Sequence, residues 1–128
     1  MADFDKAVTL VLKHEGGWTA GLPNDPGGET NFGISKRAYP NLDIKALTST
    51  DAAVIYKRDY WTSQMEVSEQ GLANCMLDCA VNQGPGALKA ILVWGMTLQQ
   101  FQLARLLRYT KSGQTAYYHA WFARTLDV

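Results

Sequence analysis

Glu15, Asp25, Glu29 and Thr30 fall within sixteen residues of one another, and their types suit acid–base chemistry. Glu15 extends an apolar series at positions 4, 7, 8, 11 and 12, the spacing of one helix face, so its carboxylate is expected on the core-facing stripe and partly buried. Gly16 and Gly17 follow directly. They are expected to stop the helix, which leaves Glu15 on the last turn, beside unpaired carbonyls and the negative end of the helix dipole. Burial and dipole both disfavour the anion, and a carboxylic acid that keeps its proton is what a general acid needs.

One acid is half a mechanism. Glycosidic hydrolysis commonly needs a second group, either to activate water on the opposite face or to form a covalent intermediate. Asp25, Glu29 and Thr30 lie in the glycine-rich segment "TAGLPNDPGGETNFGISK", whose tight turns can carry them back over the end of the first helix. Asp25 and Glu29 are both candidates for the second carboxylate. A lone glutamate at a helix end is commonly a surface charge, and "DPGG" commonly only a turn. A stripe-facing Glu, a helix-stopping glycine pair and a polar glycine-rich loop in close succession favour the functional reading.

The polar and aromatic residues that are candidates to contact a substrate are Trp18, Glu29, Asn31, Trp61, Asp78 and Asn82. Tyr56 and Tyr60 are further aromatics able to stack on sugar rings, although aromatics at helical spacing are more often core. Asp78 and Asn82 stand one helical turn apart and either line a cleft or satisfy interior hydrogen bonds. His14 falls off the stripe and reads as a surface residue at the cleft rim.

The elements that must position these residues read as helices with one glycine-rich interruption. Asp3 is a plausible cap for the first helix, Asp3 to Glu15. The "NDPGG" segment suggests a small hairpin or a long ordered loop. Thr48 with Asp51 matches a capping box that opens a helix to about Thr62. A central helix runs through "SEQGLANCMLDCAVNQ", with Leu72, Cys75, Met76, Cys79 and Ala80 on one stripe, and Gly84 ends it. Pro85 suits the first turn of the next helix, "ALKAILVW". Thr97 with Gln100 opens "LQQFQLARLLRYT", which reads as core and is closed by Gly113. Thr115 starts the last helix, "AYYHAWFARTL".

A chain of 128 residues, nearly half of them apolar, fits one domain over residues 1–128 with one core. The formal net charge is zero, yet Met1 to Leu88 holds eleven acids against seven bases, and Lys89 to Val128 five bases against one acid. Such basic tails are most often solvated helix faces, and a nucleic-acid binder on this one is disfavoured because Arg105, Arg108, Lys111 and Arg124 are few and "LQQFQLARLL" reads as core. The first residues carry acids rather than a basic head, so no secretory signal is read, and no apolar run reaches the length of a membrane span. Cys75 and Cys79 read as small buried apolar residues. With His14 and His119 they lie at no familiar ligand spacing, so no metal and no cofactor is expected. An amidase or peptidase is disfavoured for the same lack of a zinc set, and for want of a Cys/His dyad.

"HEGGW" followed by "NDPGGETNFGISK" resembles the N-terminal signature of glycoside hydrolase family 108, bacterial and phage N-acetylmuramidases of the lysozyme-like superfamily. "AVIYKRDYW", "LDCAVNQGPGALK" and "YYHAWFARTLD" fit as well, so the resemblance spans most of the chain. It implies a mainly α, lysozyme-like helical domain, with the glycine-rich hairpin or loop after the first helix. It also implies cleavage of the peptidoglycan glycan strand between N-acetylmuramic acid and N-acetylglucosamine, with Glu15 matching the catalytic glutamate. The order Glu15, Asp25, Thr30 is similar to the Glu, Asp and Thr triad of phage-type lysozymes, and by that analogy Asp25 and Thr30 hold the attacking water. A water so held implies inversion, whereas a carboxylate acting as nucleophile implies retention. Trp18 stands where the pattern has tyrosine, and Gln83 where it has histidine. The expected partner is the glycan strand, met by a monomer with no nucleic acid and no stable membrane insertion. Such a chain is expected to be made in a host cytoplasm without a signal peptide, as a phage endolysin, and to reach the wall through a membrane pore or a secretion system. The rival functions on the same fold are a wall-binding module without catalysis and a secreted effector.

Overall fold

The computed structural model describes residues 1–21, 28–93, 95–111 and 118–128. Its first helix, α1 (Phe4–Glu15), begins where the Asp3 carboxylate accepts from the backbone N–H of Asp5 and Lys6. The apolar stripe turns inward through Phe4, Ala7, Val8 and Val11. The helix stops at Gly16, whose φ of 70° lies in the left-handed region.

The glycine-rich segment contains a hairpin, one of its two expected forms. Strands β1 (Thr30–Asn31) and β2 (Ile34–Ser35) pair antiparallel, Thr30 opposite Ser35 and Asn31 opposite Ile34. Thr19 bridges the other side of Thr30, so β1 is held from both flanks. Both central residues of the turn, Phe32 (φ 53°) and Gly33 (φ 81°), have positive φ, as a tight two-residue hairpin of type I′ requires. Phenylalanine is an unusual residue there. Its carbonyl is tied down by the Tyr56 hydroxyl at 2.7 Å. Asn31 is buried, and its side-chain amide donates to the carbonyls of Ile44, Lys45 and Leu47 in and beside the 3-10 turn Ile44–Ala46, which anchors the hairpin to the body.

Helix α2 (Ser49–Asp59) opens with the Thr48–Asp51 capping box. It ends three residues before the expected Thr62. Thr62 instead caps α3 (Ser63–Val67), accepting from the Met65 N–H. A single turn of helix is too short for periodicity to reveal it. Helix α4 (Gln70–Gln83) starts two residues later than expected and is buried without a break from Ala73 to Ala80, on every face rather than on one stripe. Small residues at 73, 75, 79 and 80 let its neighbours close in, and it packs against α1, α3, α5 (Pro85–Ile91) and α6 (Leu98–Lys111). Burial pushes the Cys79 thiol up to about 12, so at neutral pH it is a packed, unreactive group.

Helix α6 opens on the Thr97–Gln100 capping box, both bonds of which are present. It buries Phe101, Arg105 and Tyr109 while leaving Leu103 and Leu107 more than half exposed. The expectation that "LQQFQLARLL" is apolar core is therefore corrected in part. The inward face of α6 is the i, i+4, i+8 row that includes an arginine. Helix α7 (Tyr118–Asp127) packs on α6. The expected stop at Gly113 and start at Thr115 lie outside the described residues. None of the described helices is long and apolar enough to cross a membrane.

Candidate active site

Glu15 sits at the corner where α1 ends, the hairpin turns and α2 passes. Its side chain is 17% exposed. A methyl group built on Gly33 would lie 2.5 Å from the Tyr56 hydroxyl oxygen and 2.7 Å from Glu15 Oε2, so the tip of the hairpin rests directly on the carboxylate. The Tyr56 hydroxyl, which donates to the Phe32 carbonyl, is held far above its ordinary pKa by burial, and the nearby Glu15 charge adds to this. It remains a donor at any pH of interest.

The other Glu15 oxygen, Oε1, accepts from Arg124 Nη2. Arg124 comes from α7, 109 residues away in sequence. The same guanidinium grips Asp78, with Nη2 2.8 Å from Oδ1 and Nε 3.0 and 3.1 Å from the two oxygens. Asp78 is completely buried and accepts in turn from Arg105 Nη2 at 2.6 Å, also completely buried. Burial is the largest single influence and works against both arginine charges. Asp78 together with Tyr109 and the two cysteines beside Arg105, and Asp78 together with Glu15 beside Arg124, outweigh it, so both stay cationic. Arg105 reaches further, to Gln83 Oε1 at 3.0 Å and to Tyr109, whose hydroxyl donates to Asn82. Among the described residues, no buried side-chain polar atom is left without a partner. The outer surface of α7 adds a clamp on the end of α1: Asp127 contacts His14 Nε2 at 2.8 Å and Lys13 Nζ at 3.3 Å.

The expected site residues separate accordingly. Glu15 and the hairpin meet. Thr30 lies on β1, its backbone paired on both sides. Glu29, partly buried, stands just before that strand, its carbonyl accepting from the Lys36 N–H. Asp25 lies outside the described residues. Trp18 is 41% exposed beyond the end of α1, with the Lys45 ammonium 4.6 Å from its ring centre. It presents an indole surface to solvent.

Four of the expected sugar contacts are engaged otherwise. Asn31 is spent on three backbone carbonyls. Trp61 packs edge-on against Phe4, and its indole N–H donates to Glu66, at the end of α1 remote from Glu15 by about 16 Å of helix. Asn82 is tied to Tyr109, and Asp78 has no surface to offer a sugar. Of the two alternatives for Asp78 and Asn82, interior hydrogen bonding is the one observed. Arg105 and Arg124 correct the expectation of solvated basic faces, because both leave water to pair with Asp78. The signal that could have found Arg105 was its place on the row of Phe101 and Tyr109. Among the described residues, no group of three His, Cys, Asp or Glu side chains could hold a metal ion.

Gly33→Ala tests the contact between hairpin and acid. The added methyl has no room, and φ of 81° costs a non-glycine residue about 1–2 kcal/mol. Displacing the reacting group by about 1 Å can cost on the order of 100-fold in turnover. Turnover by Gly33→Ala should therefore fall steeply, with a modest loss in thermal midpoint. Near-normal turnover would mean that the hairpin tip does not set the position of Glu15.

A helical body whose first helix ends in a part-buried glutamate beneath a small hairpin has the lysozyme-like architecture. The family model described as glycosyl hydrolase 108 matches residues 8–84, more than half of the chain, and the chain belongs to that family. The structure of SagA from Brucella abortus is similar, at 26% identity with a TM-score of 0.67 over 97% of this chain and 94% of that one. Among curated proteins, none matches the sequence.

Proposed function

We propose that this glycoside hydrolase is an N-acetylmuramidase, cutting the β-1,4 bond between N-acetylmuramic acid and N-acetylglucosamine in peptidoglycan. The observation that carries the reading is the presentation of Glu15, with Oε1 held by Arg124 and Oε2 in the corner under Gly33. A protonated Glu15 keeps its bond to Arg124 through Oε1 as a carbonyl oxygen and offers the proton from Oε2 to the leaving oxygen. Arg124 grips Asp78 as well, so its hold on Glu15 fixes the orientation of that side chain from one edge of the guanidinium. Asp25 and Thr30 hold the attacking water in this scheme, and Trp18 stacks on a sugar. The protein acts as a monomeric phage endolysin, made in the host cytoplasm and released to the wall through a membrane pore.

Mass spectrometry of products from purified peptidoglycan tests the bond. New reducing ends should be N-acetylmuramic acid, formed equally well in a chelator, with no new free amines from the peptide stems. New amines without reducing ends would make the enzyme an amidase. Proton NMR of the first products should show the α anomer. An initial β product would mean retention, with a carboxylate as nucleophile or the substrate's own acetamido group participating.

A further inference from the structure

Resting on that reading, we propose that the groove between the end of α2, α3 and α5 takes the peptide stem carried by the muramyl residue beside the scissile bond. The groove holds about 370 Å³ and begins at Tyr60. Tyr60 meets Tyr56 edge-on at 5.3 Å. Its pKa is raised by burial first, and Glu15 is among the charges that add to the shift. Tyr56 also lies at the corner under Gly33, so the Tyr60 end of the groove stands one ring away from the residues around the acid. A muramyl sugar bears its stem on the lactyl ether next to the bond being cut. Three to five extended residues span roughly 10–18 Å, enough to leave the cleft past Tyr60 and follow the groove.

Its chemistry suits an acidic, alanine-rich peptide better than more glycan. The floor is apolar, from Ala80, Leu88 and Leu92, and accepts methyl side chains. Ser63 and Gln64 on one rim suit peptide amides. On the other rim stands Lys89, exposed and making no ion pair among the described residues. The groove's acid, Asp59, is paired with Arg58 and accepts from the Tyr39 hydroxyl at 2.7 Å, so the charge left to meet a ligand is the positive one of Lys89. A glycan strand whose lactyl groups are all acylated has no carboxylate to meet it. The stem, with its glutamyl and terminal carboxylates, has more than one.

Two measurements decide. Lys89→Glu, a surface change, should lower kcat/KM on stem-bearing strands by about 3- to 10-fold, the scale of an exposed charge contact made and then reversed. On strands stripped of stems by an amidase it should leave kcat/KM unchanged. An equal effect on both substrates, or on neither, overturns the groove assignment while leaving the muramidase reading intact. Separately, Glu15→Gln protein is titrated with synthetic L-alanyl-γ-D-glutamyl-diaminopimelyl-D-alanine and followed by amide NMR. Shifts should centre on Ser63, Gln64 and Lys89 and vanish in the Lys89→Glu background. This holds whether or not the protein cuts glycan, so silent spectra overturn the proposal even if the hydrolase reading survives.

Discussion

Glu15→Gln should lower turnover by roughly 100-fold or more, the scale of lost general acid catalysis, while substrate binding changes little. The amide keeps the shape of the side chain, and its oxygen can still accept from Arg124 Nη2. It cannot supply the proton. Folding should survive, because the carboxylate is balanced by one edge of an arginine whose other contacts are to Asp78. Glu29→Gln is the matched control, since Glu29 lies at the edge of β1 and makes no ion pair among the described residues. Its activity should stay within a few fold. If Glu15→Gln turned over normally and Glu29→Gln were inactive, the acid would be Glu29 and the corner at the end of α1 would be structural.

The corner was half legible. Periodicity places Glu15 on the buried stripe, the glycine pair ends the helix, and the turn-rich segment supplies a hairpin, because each of these signals is local in sequence. Both capping boxes were visible for the same reason. The cations were not. Arg124 meets Glu15 across 109 residues and Arg105 meets Asp78 across 27, and no spacing rule links them. Asp78 left two readings open, cleft or interior hydrogen bonds, because the sequence shows one apolar stripe and only the packed structure buries α4 on every face, where a carboxylate demands a cation. Asn31 misled for a related reason: its amide resembles a sugar contact in type, yet a two-residue strand needs an anchor more than the cleft needs a donor. Helix α3 escaped because five residues cannot show a period of 3.6.

Asp78→Ala should be the most destabilising single change in the molecule, by about 3–5 kcal/mol, the cost of removing one partner of a buried ion pair. Among the described residues Asp78 is the one carboxylate that Arg105 meets, and it would be lost in a place where the arginine side chain has no access to water. Arg124 would keep Glu15 as its one ion-pair partner among the described residues. Set against a total stability of about 5–15 kcal/mol, the loss should lower the thermal midpoint by roughly 10–20 °C, whereas Leu103→Ala on the exposed face of α6 should barely move it. Asp78→Asn removes the charge without opening a cavity. It retains one acceptor for the arginines. With Arg124 no longer held by the Asp78 charge, its grip on Glu15 is altered, and turnover should fall with little change in KM. A stable Asp78→Asn variant with unaltered turnover would show that α7 merely rests against the site, and that Arg124 has no part in presenting the acid.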